Sequence, residues 1–200
     1  WRDWSSDVCS SDLESLDRRG VDDRVVSFED FAPTALSILG IEPPAWMDGV
    51  AFAGEFERGD DGFAYMHADR MDSVRDRSRA VSDGRHRYIR NLMPERPRLY
   101  NVAYAEGVPM MADIHALRAS GTATEAQWQL VDSTKPVEEF YDTETDPHEV
   151  VNLIDDPAHA DRIATMRGAL DRWLERTGDL GLIEDEGLMV REHLWHGDAK

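Results

Sequence analysis

The sequence predicts an α+β fold: an antiparallel sheet of about four short strands, one face of it packed by a long C-terminal helix. Three observations carry this. Short alternating runs recur at 63–67, 79–82, 86–90 and 137–141. An Asp-Gly pair at Asp83 and Gly84 joins the middle two, a turn signal because both residue types accept positive φ. From His159 to Arg176 the apolar residues Ile163, Met166, Leu170, Trp173 and Leu174 fall on one stripe of a 3.6-residue period. Strands followed by a single amphipathic helix are the pattern of a sheet covered on one side.

Taken in order, residues 1–19 have no apolar periodicity and repeat a Ser-Ser-Asp triplet at Ser5 and Ser10. They read as an artefactual or disordered leader. Residues 20–61 open with Val25, Val26 and Ser27 as a strand end. A helix follows over 31–39, with Pro33 in its first turn, Phe31, Ala35, Ile38 and Leu39 on one apolar face, and Gly40 as its stop. Pro43 and Pro44 bar continuation, and 46–50 is a loop. Residues 62–183 hold the sheet, with Val81 and Tyr88 as buried positions of the hairpin. Within them 93–108 is a Pro- and Gly-punctuated loop. Helices are expected over 110–119 and 124–131, the second capped by Thr122 or Thr124 and anchored by Trp128. Asp155, Asp156 and Pro157 open the last helix and Gly178 closes it. Residues 184–200 read as an irregular acidic tail. Phe140, Tyr141 and Trp173 are expected in the core. The histidines at 86, 115, 148, 159, 193 and 196 share no ligand spacing and are expected at the surface.

The formal net charge is −19, from 41 Asp and Glu against 22 Lys and Arg, which opposes a nucleic-acid or anionic-membrane partner. No apolar run approaches the roughly 18–20 residues that span a bilayer. Between Arg70 and Arg98 the balance reverses, with nine Arg against four carboxylates. That segment is either an anion site or a set of cations paired with the abundant carboxylates, and pairing is the reading preferred here. The single cysteine, Cys9, builds neither a disulfide framework nor a zinc site. The alternation of Asp142, Glu144, Asp146 and Glu149 has the look of a calcium loop. Pro147 stands where that loop needs Gly and Leu153 where it needs Glu, so an Asp-Pro turn backed by Asn152 fits better.

The stretch Glu138-Glu139-Phe140-Tyr141-Asp142, continuing through Asp146-Pro147-His148-Glu149 to Asn152-Leu153, resembles the E-L-Y-D-L-x-x-D-P-x-E-x-x-N-L signature of sulfatases. Three further segments agree in order. Residues 26–41 are similar to V-S-x-x-D-L-x-P-T-L-L-D-L-A-G-I; Pro44 and Asp48-Gly49-Val50 resemble the loop after it; residues 79–91 are similar to R-A-V-R-D-x-x-Y-K-Y-I-R-N. The resemblance covers roughly 24–183. It implies an alkaline-phosphatase-like α/β parent, with 20–61 the last piece of its catalytic domain and 62–183 its C-terminal α+β subdomain. It also implies a sulfuric ester hydrolase acting on a sulfated small molecule or glycan, with a formylglycine nucleophile and a calcium ion. Cys9 lacks the Pro and Arg of the C/S-x-P-S/A-R motif, so no catalytic or metal residue transfers to this chain. The chain does not begin with Met, and the catalytic motifs are expected upstream, leaving this stretch inactive by itself. His67, Arg70 and Asp72 are the candidate substrate-binding residues, with Asp72 orienting Arg70 or a sugar hydroxyl. The competing reading is a free-standing acidic module that binds an anionic partner through the Arg70 to Arg98 segment.

Overall fold

A computed structural model describes residues 24–59, 61–71, 74–99 and 105–181. The leader at 1–19 and the tail at 184–200 lie outside the described residues, as does Asp72. The chain divides into two units. One holds the described residues up to Ala64 with the turn 82–84, and the other the described residues of 65–81 and from Arg85 on.

In the first unit a 3₁₀ turn, Phe28–Asp30, runs into helix α1, Phe31–Ile38. Gly40 takes φ 69°, its N–H donates to the Ser37 carbonyl, and Ile41 N–H donates to Leu36. This Schellman closure satisfies the last carbonyls of the helix. The face that α1 buries is not the expected apolar one. Phe31 is 57% exposed and Leu39 69%, whereas Asp30, Thr34 and Ser37 are buried. These polar groups hold an extended segment. Val50 N–H donates to Asp30 Oδ1 (2.7 Å), Phe52 N–H to Thr34 Oγ1 (3.1 Å) and Phe56 N–H to Ser37 Oγ (2.9 Å). A segment that cannot pair with a sheet thus finds its acceptors on a helix. Gly49 is required there, because a Cβ would stand 2.2 Å from the Glu29 carbonyl oxygen. The strand expected at 25–27 does not form; Ser27 instead caps the 3₁₀ turn, its N–H donating to Asp30 Oδ2 (2.8 Å).

The sheet has strand order β1 (Ala64–Met71), β2 (Val74–Ser82), β3 (His86–Asn91), β4 (Glu138–Asp142). It is antiparallel, with Tyr88 opposite Phe140 and Arg90 opposite Glu138. Strand β1 continues four residues past the expected end, because its polar residues His67, Asp69 and Arg70 stay exposed, which the edge strand of a sheet tolerates. The β2–β3 connection is a three-residue loop, not a type I′ pair: of Asp83 and Gly84, only Gly84 has positive φ, 91°.

Helix α4, Ala160–Thr177, crosses the face that carries Tyr88 and Phe140. Its Ile163, Met166 and Leu170 are almost wholly buried, as the stripe predicts, each contributing roughly 1.5–3 kcal/mol. Arg167 lies over the Tyr88 ring at 5.7 Å and donates to both carboxylate oxygens of Glu138 (2.9 Å each). His86 and His159 are half-buried rather than at the surface: both lie 5.5 Å from the Phe140 ring. The opposite face of β4 is covered as well, contrary to the one-sided expectation. Glu139 is 0% exposed and Tyr141 1%, because Arg98, from the segment after β3, closes over them. Helices α2 (Pro109–Ser120) and α3 (Glu125–Val131) share a small core of Met111, Ile114 and Val131. Thr124 and Gln127 cap α3 reciprocally. Trp128 is 42% exposed and does not anchor α3; Val131 does, because only its face meets α2.

The outer edge of β4 is closed by the end of the signature stretch. Asn152 Oδ1 accepts from Phe140 N–H (2.9 Å), its amide donates to the Glu138 carbonyl (3.2 Å), and Leu153 N–H donates to the Phe140 carbonyl (2.8 Å). One side chain therefore does for this edge what a further strand would do.

Candidate functional site

Alternation along β1 sets Tyr65, His67 and Asp69 on one face and Met66, Ala68 and Arg70 on the other. On the first face Tyr65 stacks on Trp173 of α4, centroids 5.2 Å apart and planes at 3°. Beyond that stack, β1, β2 and the end of α4 enclose a cleft of about 720 Å³ lined by His67, Asp69, Arg77, Arg79, Trp173 and residues 177–181. Trp173, expected in the core, is half-buried because it forms this wall.

Arg79 is the floor of the cleft and is 2% exposed. It donates to Asp179 Oδ2 (2.8 Å), Asp69 Oδ1 (2.9 Å), and the carbonyls of Ser78 (2.8 Å) and Ala68 (3.2 Å). Burial pulls the guanidinium pKa down, and the bonds to Asp179 and Asp69 more than offset this, leaving it raised. Burial likewise pushes the Asp179 carboxyl up, while Arg79 and the Gly181 N–H hold it below the usual carboxylate range. Arg77 Nη1 donates to the Gly181 carbonyl (2.8 Å), so the chain leaving α4 is fastened at two points.

Of the residues singled out from sequence, His67 is exposed and lines this cleft. Arg70 is exposed three positions on, on the other strand face, so the structure does not bring the two together. The sequence marks Arg79 only as one of the Arg-rich segment and the start of the hairpin, and singles out neither Asp69 nor Asp179. Asp69 was legible from the alternation, had β1 been extended past His67; Asp179 lies 100 residues from Arg79 and gives no local signal.

The signature's carboxylates are engaged in structure. Asp142 accepts from Arg85 (2.7 and 3.1 Å) and from Glu144 N–H (3.2 Å). Asp146 accepts from Val151 N–H (2.8 Å). Among the described residues no three His, Cys, Asp or Glu side chains gather as a metal-ligand set. The Arg-rich segment is extensively paired, as preferred above: Arg79 as described, Arg85 with Asp142 and Glu144, Arg87 with Glu149, Arg90 with Asp171 and Arg98 with Glu139.

Three of these carboxyls give an acid sensitivity with a definite sign. The Arg85 bonds hold Asp142 below the usual carboxylate range, Arg167 does so for Glu138, and Asp179 is lowered as described. A depressed folded pKa contributes stability that is complete above the unfolded value of about 4 and is lost as pH falls through the folded value. The denaturant midpoint is therefore expected to drop between about pH 4 and pH 2.5, and Arg85→Gln to flatten that drop. A midpoint with no fall in this range would contradict the pairing.

No model of a protein family matches the chain. It is 37% identical over 182 residues to an ulvan-active sulfatase of Formosa agariphila, covering 91% of this chain and 30% of that protein. The chain thus spans under a third of the relative's length. Among solved structures, a 2-O GAG sulfatase aligns over 76% of this chain and 25% of its own, with 22% identity and TM-score 0.47. A protein solved with its substrate D-glucosamine-2-N,6-O-disulfate aligns over 78% and 25%, with 19% identity and TM-score 0.46.

Proposed function

We propose that the chain, which matches the C-terminal part of a sulfatase, serves an enzyme hydrolysing sulfate esters or sulfamates. The observation that carries the proposal is 37% identity sustained across 91% of the chain. An ulvan-active relative favours a glycan over a small sulfated molecule.

The formylglycine and calcium implied by the resemblance would supply the nucleophile and the polarisation of the sulfate oxygens. The residues of this chain do not fit either group. Cys9 is followed by Ser-Ser-Asp-Leu, and the described carboxylates are spread through structural pairs. Those groups would be held by the part of the enzyme outside the match. What this chain would contribute is substrate recognition. Arg70 on one face of β1 would bind an anionic group of the substrate, with Asp72 orienting it, and His67 would bind from the other face. The Arg-rich segment gives the acidic-module reading no separate support, since most of its cations already face carboxylates.

The test is made in the full-length enzyme from the source locus. Arg70→Ala is expected to lower kcat/KM on a sulfated oligosaccharide roughly 10- to 100-fold, the value of a charge-assisted hydrogen bond. Unchanged kcat/KM would remove Arg70 from the substrate site. Absence of a C/S-x-P-S/A-R motif from the continuous upstream frame would overturn the assignment to a sulfatase.

A further inference from the structure

We propose that the cleft walled by β1, β2 and the end of α4 is a subsite for an uncharged sugar ring of the glycan chain, received by Asp69 and His67. This rests on the sulfatase reading and names what one of its surfaces takes.

Charge disfavours a sulfate beside Asp69. The cleft holds Arg77, Arg79, Asp69 and Asp179, equal numbers of each sign. Both guanidinium groups are committed: Arg79 to the two carboxylates and Arg77 to the Gly181 carbonyl. A sulfate or carboxylate entering beside Asp69 would meet its half-exposed carboxylate, and Arg79, the cation next to it, is already shared between Asp69 and Asp179. Hydroxyl groups meet the opposite situation. The Asp69 carboxylate is 49% exposed, yet Arg79 holds one of its oxygens at 2.9 Å. It is a fixed, half-open acceptor, which suits neighbouring hydroxyls of a sugar. His67 stands two residues away on the same strand face, about 6.6 Å along the strand, and is exposed. Its ring nitrogens can donate to or accept from a hydroxyl further round the ring.

The rest of the lining fits the apolar side of a sugar. Trp173 is held in place by its stack on Tyr65, and Leu180 is 69% exposed. A volume of about 720 Å³ is within the usual range of ligand pockets. The cleft is also built before any ligand arrives, because Arg79 and Arg77 fasten residues 179–181, and ordering costs little on binding.

The experiment titrates the 200-residue chain with an ulvan oligosaccharide digest, native and after desulfation and carboxyl reduction, which leaves it uncharged. Binding is read by NMR at His67, Asp69 and the Trp173 indole N–H. The uncharged digest is expected to shift these signals, Asp69→Asn to weaken its binding about tenfold and His67→Ala about threefold. Circular dichroism would confirm that each variant is folded. His67→Ala is the safeguard, because His67 lies at the exposed rim and Asp69 also touches the floor. Binding of the native digest alone, no shifts at these residues, or wild-type binding by both variants would overturn the proposal. Sugar binding without sulfate release by the full-length enzyme would instead count against the sulfatase reading, so the two failures are distinguishable.

Discussion

Replacing Arg79 with Met is expected to destabilise the chain by about 3 kcal/mol, the lower end of the range for breaking a buried ion pair. Met keeps most of the volume and removes the charge. Asp179, whose side chain is only 16% exposed, then loses its cation, and two backbone carbonyls lose their donor. Asp69 is half exposed and can recover water, which keeps the loss from reaching the upper end. The effect should be local before it is global. Residues 179–181 are fastened to the sheet through Arg79 and Arg77, so amide exchange at Gly181 should rise well below the global midpoint. Gly181→Ala tests the same joint from the other side: its Cβ would stand 2.2 Å from Arg79 Nη2, so Arg79 or the chain must move. Urea unfolding of the three proteins decides the matter. An Arg79→Met variant within about 0.5 kcal/mol of wild type would show that the joint holds nothing.

Some of this architecture is readable in the sequence and some is not, and the division follows the physics. Helix α4 was legible because one apolar face at a 3.6-residue period has a single explanation. The hairpin and the Thr124 cap were legible because turns and caps demand particular residue types. Helix α1 was located but turned the wrong way. It buries Pro33, Thr34 and Ser37; the last two, with Asp30 of the turn before it, are stabilised by accepting backbone N–H groups from residues 50–56, and periodicity ranks such polar residues as exposed. The site shows the same division. His67 and Arg70 were picked for their chemistry, but period-two alternation parts them. The groups that shape the cleft, Arg79 and Asp179, meet only through long-range folding. A buried polar group is legible in a sequence only when its partner is near, and here the partners are not.

The second large effect is expected at Glu139, and it distinguishes a buried charge that holds the sheet from one that is merely tolerated. Glu139 is 0% exposed, opposite Ile89 in the β3–β4 register. One oxygen accepts from Asn91 Nδ2 (2.5 Å), the other from Arg98 Nη2 and Tyr141 Oη (2.5 Å each). Burial, and next the bond to Glu139, push the Tyr141 hydroxyl above the ordinary tyrosine range. Glu139→Leu removes the only group that three donors share among these contacts. Asn91 keeps the Pro136 carbonyl (2.7 Å), but the guanidinium of Arg98 and the Tyr141 hydroxyl lose their carboxylate and keep only a long contact with each other (3.5 Å). A loss of about 3–4 kcal/mol is expected, below the top of the range because Arg98 is 25% exposed and can reach water. Adding Arg98→Leu should then recover about 1–2 kcal/mol, because the second change removes the orphaned cation. The double-mutant cycle carries the argument. If the paired variant is no more stable than Glu139→Leu alone, the cost lies in packing, and the ion pair is incidental to the fold. If it recovers, Glu139 is retained at the centre of the signature strand because Arg98 must be neutralised there. The acidic residue before the aromatic pair would then be explained by stability, with no catalytic role required of it.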